Sequence, residues 1–449
     1  MHEKIIELIE QRKFHELSLL LRELSAPDVA ALLQEVPEEY LSLVYRLLPK
    51  ELAAETFVEM DPDQQELLIH SFNDNELKEM LDELYLDDTV DIIEEMPASV
   101  VKRILRNSDP ETRAMINQVL KYPEDSAGSL MTIEYVDLKK DMNVADAIAR
   151  IRRTGVDKET INICYVTDKN RKLEGIVSLR TLLLAKDSDI ISDIMETHLI
   201  SVTTDTDKED VAKLFDKYDF LAVPVVDKEN RLVGIITVDD AMDVLQEENS
   251  EDFAKMAAVV PSEENYFKTS VFTHTRNRII WLLVLMLAGT FTGSIITHYE
   301  NAIAGFTLLV AFVPMLMDTG GNCGAQSSTL IIRGMALDEI TLKDYFRVVF
   351  KEARIALLCG IVLASVNFVR VGLIYGFTDK NMLFALAAGI SLMCTILIAK
   401  FLGCSLPMLA KRLKLDPALM ASPLITTIVD ACSILVYFKI VTSIMGIAA

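Results

Sequence analysis

The sequence predicts a multi-domain fold: an α-helical, solenoid-like front, a duplicated α/β pair, a connecting helix, and an all-α domain of five membrane spans. Three observations carry that prediction. Charge is unevenly divided, since residues 1–270 hold 58 acidic against 30 basic side chains, a net of −28, whereas residues 271–449 hold 9 against 14, a net of +5. Apolar runs long enough to cross a bilayer begin only at Ile279. A segment near 166–178 returns, in spacing and chemistry, near 226–237.

Residues 1–130 form the first predicted domain. Breaker or polar positions recur about every twelve residues, at Pro37, Pro49, Asp61-Pro62, Asn73, Pro97 and Asp109-Pro110, with apolar segments such as Ala30-Ala31-Leu32-Leu33 between them. A unit of that length suits a short helix and a turn, so successive units should stack. The beat near Tyr85 has no breaker, which leaves a plain helical bundle as the other reading.

The duplication defines two further domains, 131–200 and 201–252. It aligns Asp168 with Asp227 and Gly175 with Gly234, and each copy reads helix, strand, charged turn, strand, helix. This resembles a tandem of cystathionine-β-synthase (CBS) domains, a regulatory pair. Members of that family often hold a nucleotide ribose through a Ser/Thr followed by an Asp. The resemblance therefore implies an adenosine nucleotide such as ATP on the side of Thr237, Asp239 and Asp240, since the first copy offers Ser178-Leu179-Arg180-Thr181 instead. A degenerate pair that binds no nucleotide is the alternative.

Residues 246–277 read as a polar connecting helix feeding the membrane domain, 278–449. Spans are predicted near 279–299, 302–334, 355–376, 383–409 and 419–441. Arg276 and Arg278, then Arg333 to Arg354, then Lys411, Arg412 and Lys414 fall on one side. The excess of Lys and Arg there predicts a multi-pass protein of the cell (inner) membrane with a cytoplasmic N-terminus and an outside C-terminus. No signal-peptide pattern opens the chain. The six cysteines form no CxxC pair, which argues against disulfides or zinc. An acidic front excludes nucleic acid as a partner. The six scattered histidines and the lack of a Walker-type loop or HExxH motif argue against an enzyme.

Asp430 stands inside the apolar run 419–438. A carboxylate at mid-bilayer costs roughly 2.5–3.5 kcal/mol, and the default reason to keep one is an ion or proton path. Asp318-Thr319-Gly320-Gly321-Asn322-Cys323-Gly324 interrupts the second span, and a glycine-broken helix suits a wet cavity. Bland readings exist for both: an ion pair of Asp430 with Lys400 or Arg370, and close helix packing at the glycines with an interhelical hydrogen bond from Asn322.

With Tyr122-Pro123-Glu124-Asp125-Ser126-Ala127-Gly128, Gly320-Gly321-Asn322, Asp416-Pro417-Ala418, Ser422-Pro423 and Asp430, nearly the whole chain resembles the MgtE magnesium channels. The resemblance implies a homodimeric, Mg²⁺-selective pore that closes when its cytoplasmic part binds Mg²⁺. The residues suit that chemistry. Mg²⁺ takes oxygen ligands and sheds water reluctantly, so a pore should offer few carboxylates. In a twofold dimer Asp430 becomes a facing pair. Asn322 and freed carbonyls near Gly320 and Gly321 would order the water shell, and Pro423 would free another carbonyl near Leu419 or Met420.

For gating, Asp87, Asp88 and Asp91 share a helix face, as do Asp243, Glu247, Glu248, Glu251 and Asp252 on the connector. Like charges so spaced repel unless a cation bridges them, and Asp416 is placed to join from the membrane side. Two other readings compete: an ion-coupled divalent-cation carrier using Asp318 or Asp430, and a membrane-tethered sensor or enzyme.

Overall fold

The computed structural model describes residues 2–262, 266–267, 269–300, 306, 308–420 and 422–446. The chain divides into two compact units, Met1–Gln246 and Glu247–Ala449.

In the first unit, ten short helices open the chain: α1 (His2–Glu10), α2 (Phe14–Leu21), α3 (Ala26–Gln34), α4 (Glu38–Tyr45), α5 (Lys50–Val58), α6 (Pro62–Ser71), α7 (Asp74–Leu81), α8 (Leu86–Glu95), α9 (Ala98–Asn107) and α10 (Pro110–Val119). From α2 onward each begins twelve residues after the last, α8 included. The same period places Leu21, Leu33, Tyr45, Phe57, Ile69, Leu81 and Ile93 in one buried core. Every unit thus buries its apolar face against its neighbours, which a helix of eight to ten residues cannot do alone. Local chemistry sets the starts. Asn73 caps α7 in a reciprocal capping box with Glu76, and Asp109 caps α10 through the amides of Glu111 and Thr112. The unmarked start at Leu86 follows from packing, since Leu86, Val90 and Ile93 are all buried.

Two three-stranded sheets follow, ordered β1 (Asp137–Leu138), β2 (Ile163–Thr167), β3 (Leu173–Ser178) and β4 (Val202–Thr203), β5 (Ala222–Val226), β6 (Leu232–Thr237). In each, the first strand pairs parallel to the second and the second antiparallel to the third. Both hairpins turn through a left-handed residue, Arg171 (φ 64°) and Asn230 (φ 60°). Matching helices α11 (Val144–Thr154) and α14 (Lys208–Tyr218) complete the copies, with the short α12 (Leu179–Leu184) and α13 (Ile191–Ile194) between them. Backbone hydrogen bonds from Leu173 N–H to Asn230 C=O (3.1 Å) and from Leu232 N–H to Arg171 C=O (2.8 Å) tie the two hairpins together.

The helix after β6, α15 (Val238–Met256), runs on from the second copy into the connector. The connector is not one helix to residue 277, because α15 ends at Met256 and Ala258 takes a left-handed conformation (φ 56°). The next helix already begins at Val271.

Among its described residues, the second unit holds five helices long and apolar enough to cross a membrane. We number these spans 1 to 5: Val271–His298, Leu308–Ala336, Tyr345–Tyr375, Asp379–Arg412 and Ser422–Met445. Spans 2, 4 and 5 share the core, with Phe312, Leu316, Phe384, Leu392, Ile396, Val429 and Phe438 buried. Spans 1 and 3 turn many large apolar side chains outward, among them Leu282, Phe291, Leu358 and Val369, as a lipid-facing or subunit-facing helix must. Tyr299 stacks on Phe438 with centroids 4.9 Å apart, holding the end of span 1 against span 5.

The glycine-rich segment of span 2 differs from the expectation. Residues 318–324 lie in unbroken α-helix, so their carbonyls stay within the helical ladder rather than being freed. The glycines instead permit close approach. A Cβ on Gly320 would come within 2.8 Å of Thr395 Cγ2 and 3.0 Å of Ser433 Oγ, and one on Gly321 within 2.7 Å of Thr426 Cγ2. The backbone irregularity in this span is Pro314, which removes a donor one turn before Asp318. Pro423 likewise frees no carbonyl inside a helix, because it sits in the first turn of span 5, where a missing N–H costs nothing. The preceding 3₁₀ turn, Pro417–Met420, uses the Met420 carbonyl to accept from Ser328 Oγ at 3.0 Å.

Candidate metal centre and ion path

Helix α8 starts with Asp87 and Asp88 in its first turn and Asp91 one turn later. Carboxylates suit a helix N-terminus, whose free amides carry partial positive charge. Asp87 is buried, Asp88 half-buried and Asp91 exposed, and all three sit among other acids. Single oxygens of Asp87, Glu134 and Glu159 lie within 4.8 Å of one another. Asp240, on α15, faces the same group and adds repulsion at Asp87, Asp88, Asp91 and Glu159.

Solvation lost to the surrounding protein first, then repulsion between the acids, moves these groups upward: Asp88 to about 6, Asp91 to about 7, Glu159 to about 8 and Asp240 to about 6, with Asp87 raised well above the usual range. Glu134 and Asp243 shift the same way, again chiefly through burial. The set offers oxygens only, which fits a hard divalent cation such as Mg²⁺ and not zinc or copper. Bound there, the cation would supply the positive charge that these carboxylates lack.

Asp87, Asp88, Asp91 and Asp243 were expected in such a cluster; Glu134 and Glu159 were not. They come from connecting segments far apart in sequence, and no spacing within an acidic background marks them. Asp240 was expected on a nucleotide ribose. Here its Oδ2 accepts from Thr237 Oγ1 at 2.6 Å, and its charge also acts on the α8 acids. Asp239 adjoins that group and contributes to the repulsion at Glu159.

Farther along α15, in the second unit, Lys255 Nζ bonds Glu251 Oε1 at 2.8 Å and Asp416 Oδ2 at 2.7 Å. These two bonds raise the lysine above its ordinary range against the opposing effect of burial. Asp416 Oδ1 also accepts from the amide of Ala418 at 2.8 Å. Asp416 and Glu251 therefore share one ammonium, that of Lys255 on the connector. Glu247 and Asp252 flank Glu251 on that helix.

In the membrane unit, Asp430 on span 5 is half-buried, and neither Lys400 nor Arg370 is its partner. Lys400 Nζ bonds Ser327 Oγ at 3.0 Å and Glu352 Oε2 at 3.4 Å. Arg370 donates to Asn367 Oδ1 at 3.0 Å and lies over Phe312. Asp430 meets the like charge of Asp318 from span 2. Asn322 Nδ2, one turn on, donates to Asp318 Oδ1 at 3.1 Å. Asp430 Oδ1, Ser433 Oγ and Thr395 Oγ1 are buried without a protein hydrogen-bond partner among the described residues. Buried oxygens of that kind are ordinarily satisfied by water or an ion. Ser433 and Thr395 both face Gly320, so the small face of span 2 brings these oxygens near the Asp318–Asn322 pair.

Fold and sites together define a multi-span membrane transporter for a divalent cation, with a carboxylate-rich soluble part. Comparison with known proteins names the family. Residues 313–440 match the MgtE divalent cation transporter family, residues 24–125 the MgtE intracellular N domain, and residues 127–188 and 191–247 the CBS domain. The chain is 38% identical to the magnesium transporter MgtE of Thermus thermophilus over 438 residues, 97% of this chain and 96% of that one. It is 31% identical to the Bacillus subtilis magnesium transporter MgtE, covering 98% and 96%. The soluble part resembles the crystal structure of the cytosolic domain of the Mg²⁺ channel MgtE in complex with ATP, at 38% identity and a TM-score of 0.52. That likeness covers 54% of this chain and all of the other. The chain belongs to the MgtE family of magnesium transporters.

Proposed function

We propose that this protein carries Mg²⁺ through a membrane pore that passes Asp430, and that cytosolic Mg²⁺ closes the pore by binding the carboxylates around Asp87. Mg²⁺ transport is the function of the family. What carries the pore reading is the Asp430 carboxylate, set in a span with one oxygen unpartnered and within the field of Asp318, which itself accepts from Asn322. A carboxylate in a span, near a second acid and with no lysine or arginine bonded to it among the described residues, attracts a cation without binding it as tightly as a closed cage would. Asn322, Ser433 and Thr395 are suited to ordering the water such an ion retains. Two copies of the chain would pair the Asp430 carboxylates across a twofold axis, with the soluble unit and N-terminus cytoplasmic and the C-terminus outside.

Gating follows from the first unit. At low Mg²⁺ the acids of α8, α15, Glu134 and Glu159 repel; at high Mg²⁺ the ion bridges them and fixes one arrangement. ATP at the CBS pair, as in the related cytosolic domain, would tune that response. Because Asp240 sits among the acids, nucleotide and Mg²⁺ would be coupled through it.

Growth of a cell lacking its own magnesium uptake tests the whole. The wild-type chain should restore growth at low Mg²⁺, and Asp430→Ala should not. Restored growth with the variant would remove Asp430 from the path. The proximity of Asp318 to Asp430 keeps a coupled carrier as the second reading. Single-channel current steps favour the pore, whereas strict dependence of Mg²⁺ flux on a Na⁺ or H⁺ gradient favours the carrier.

A further inference from the structure

Three side chains deep in the membrane unit form a closed polar triad. Glu352 of span 3, Lys400 of span 4 and Ser327 of span 2 are 7%, 5% and 0% exposed. Ser327 Oγ donates to Glu352 Oε2 at 2.6 Å and accepts from Lys400 Nζ at 3.0 Å, while the ion pair itself spans 3.4 Å. At about 1.5 Å per residue, the three lie roughly 10–18 Å inside the ends of their helices, and all are closed off from the surface of the unit.

A volume-matched apolar pair would fill this space without desolvating two charges, so stability alone does not account for the ions. What they add is a unique register. Apolar helices can slide past one another at little cost, whereas a one-turn slip of about 5.4 Å would break every bond in the triad. One turn along span 4 from Lys400, Gly403 touches the Gly324 carbonyl so closely that no Cβ would fit. Span 2 is thus pinned to spans 3 and 4 within two turns of Asn322. On its other side Gly321 meets Thr426, and Ser328 bonds the Met420 carbonyl before span 5.

We propose that Lys400 and Glu352, acting through Ser327, are positioning residues of the ion path: they set the height of span 2, and so hold Asp318 and Asn322 level with Asp430. This rests on the pore reading above. A loosened register should first relax discrimination between Mg²⁺, which demands tight geometry, and the larger, more tolerant Ca²⁺.

The test uses the full chain reconstituted in lipid vesicles, reading Mg²⁺ flux, Ca²⁺ flux and thermal melting. Lys400→Met with Glu352→Met should melt no lower than wild type and still pass Mg²⁺, with the Mg²⁺-to-Ca²⁺ ratio falling at least tenfold. Exchanging the charges, Lys400→Glu with Glu352→Lys, should return most of that ratio, since a serine hydroxyl can donate and accept in either direction. Ser327→Ala keeps the direct ion pair and should lower the ratio about threefold. A wild-type ratio in the folded double variant overturns the proposal. If that variant fails to fold, Ser327→Ala decides, and an unchanged ratio there is equally fatal. Asp430→Asn, measured alongside, separates the two layers. Wild-type selective flux in it removes the pore reading, whereas a dead Asp430→Asn with unaltered triad variants removes this inference only.

Discussion

Lys255 Nζ lies 2.7 Å from Asp416 Oδ2, so the connector helix bonds the turn that precedes span 5. The same nitrogen holds Glu251 at 2.8 Å. The bridge joins the part of the chain that follows the CBS pair to the span that carries Asp430. Lys255→Met should weaken the closed arrangement, shifting the Mg²⁺ concentration for half-closure upward about twofold to fivefold, as loss of a part-buried ion pair implies. Flux titrated against cytosolic-side Mg²⁺ measures this, and an unchanged midpoint would show that the bridge plays no part in gating.

Asp430→Ala should separate stability from activity. The native carboxylate carries an insertion cost of roughly 2.5–3.5 kcal/mol and has an unpartnered oxygen, so its removal should leave the melting temperature equal or higher. Mg²⁺ flux should nonetheless fall to background. A variant that loses flux because it no longer folds would instead assign Asp430 a structural role.

The acid cluster predicts an unusual pH dependence. Asp88, Asp91, Asp240 and Glu159 have folded values raised to about 6, 7, 6 and 8, above those of the unfolded chain. The folded state therefore binds the extra protons. Without Mg²⁺, stability contributed by these groups is present at pH 4 and is lost as pH rises through 6 to 8. Saturating Mg²⁺ should flatten that decline, and apparent Mg²⁺ affinity should increase with pH as protons leave. Melting curves of the full chain in detergent, from pH 5 to 8 with and without Mg²⁺, check both signs. Asp87→Asn with Glu159→Gln should raise stability without Mg²⁺ at pH 8 and reduce the gain on adding it.

Glycines should divide into two classes. A methyl group on Gly403 meets the Gly324 carbonyl, and one on Gly324 comes within 2.8 Å of Ile425 Cγ2. Gly403→Ala should cost about 1–3 kcal/mol by overpacking, with loss of flux. Nothing lies within 4 Å of a Cβ on Gly293, so Gly293→Ala should be neutral or slightly stabilising through helix propensity. Equal effects of the two substitutions on melting would contradict this packing.

The twelve-residue beat and the duplicated α/β pair were legible because each is written more than once, and repetition outweighs a missing breaker at Tyr85. The acid cluster was half legible. Spacing along α8 reveals Asp87, Asp88 and Asp91, but only folding carries Glu134 and Glu159 to them. The segment around Gly320 was misread as a helix break, since glycine within a span serves either a kink or a close contact. The choice depends on what stands opposite, here Thr426, Thr395 and Ser433. Glu352 escaped notice because the third span was expected to start at residue 355. The structure begins that helix at Tyr345, which takes the acid inside and gives Lys400 a partner other than Asp430.

The unvarying stride of the helical front limits how this region can change. Removing twelve residues takes away one whole storey and leaves the others seated as before, whereas removing a single residue would turn each later apolar side chain away from the common column. The storey that carries the acids, α8, lies near the far end of that stack. Length variation among related sequences should therefore gather in whole steps ahead of it, with Asp87, Asp88 and Asp91 kept at a constant distance from Glu134.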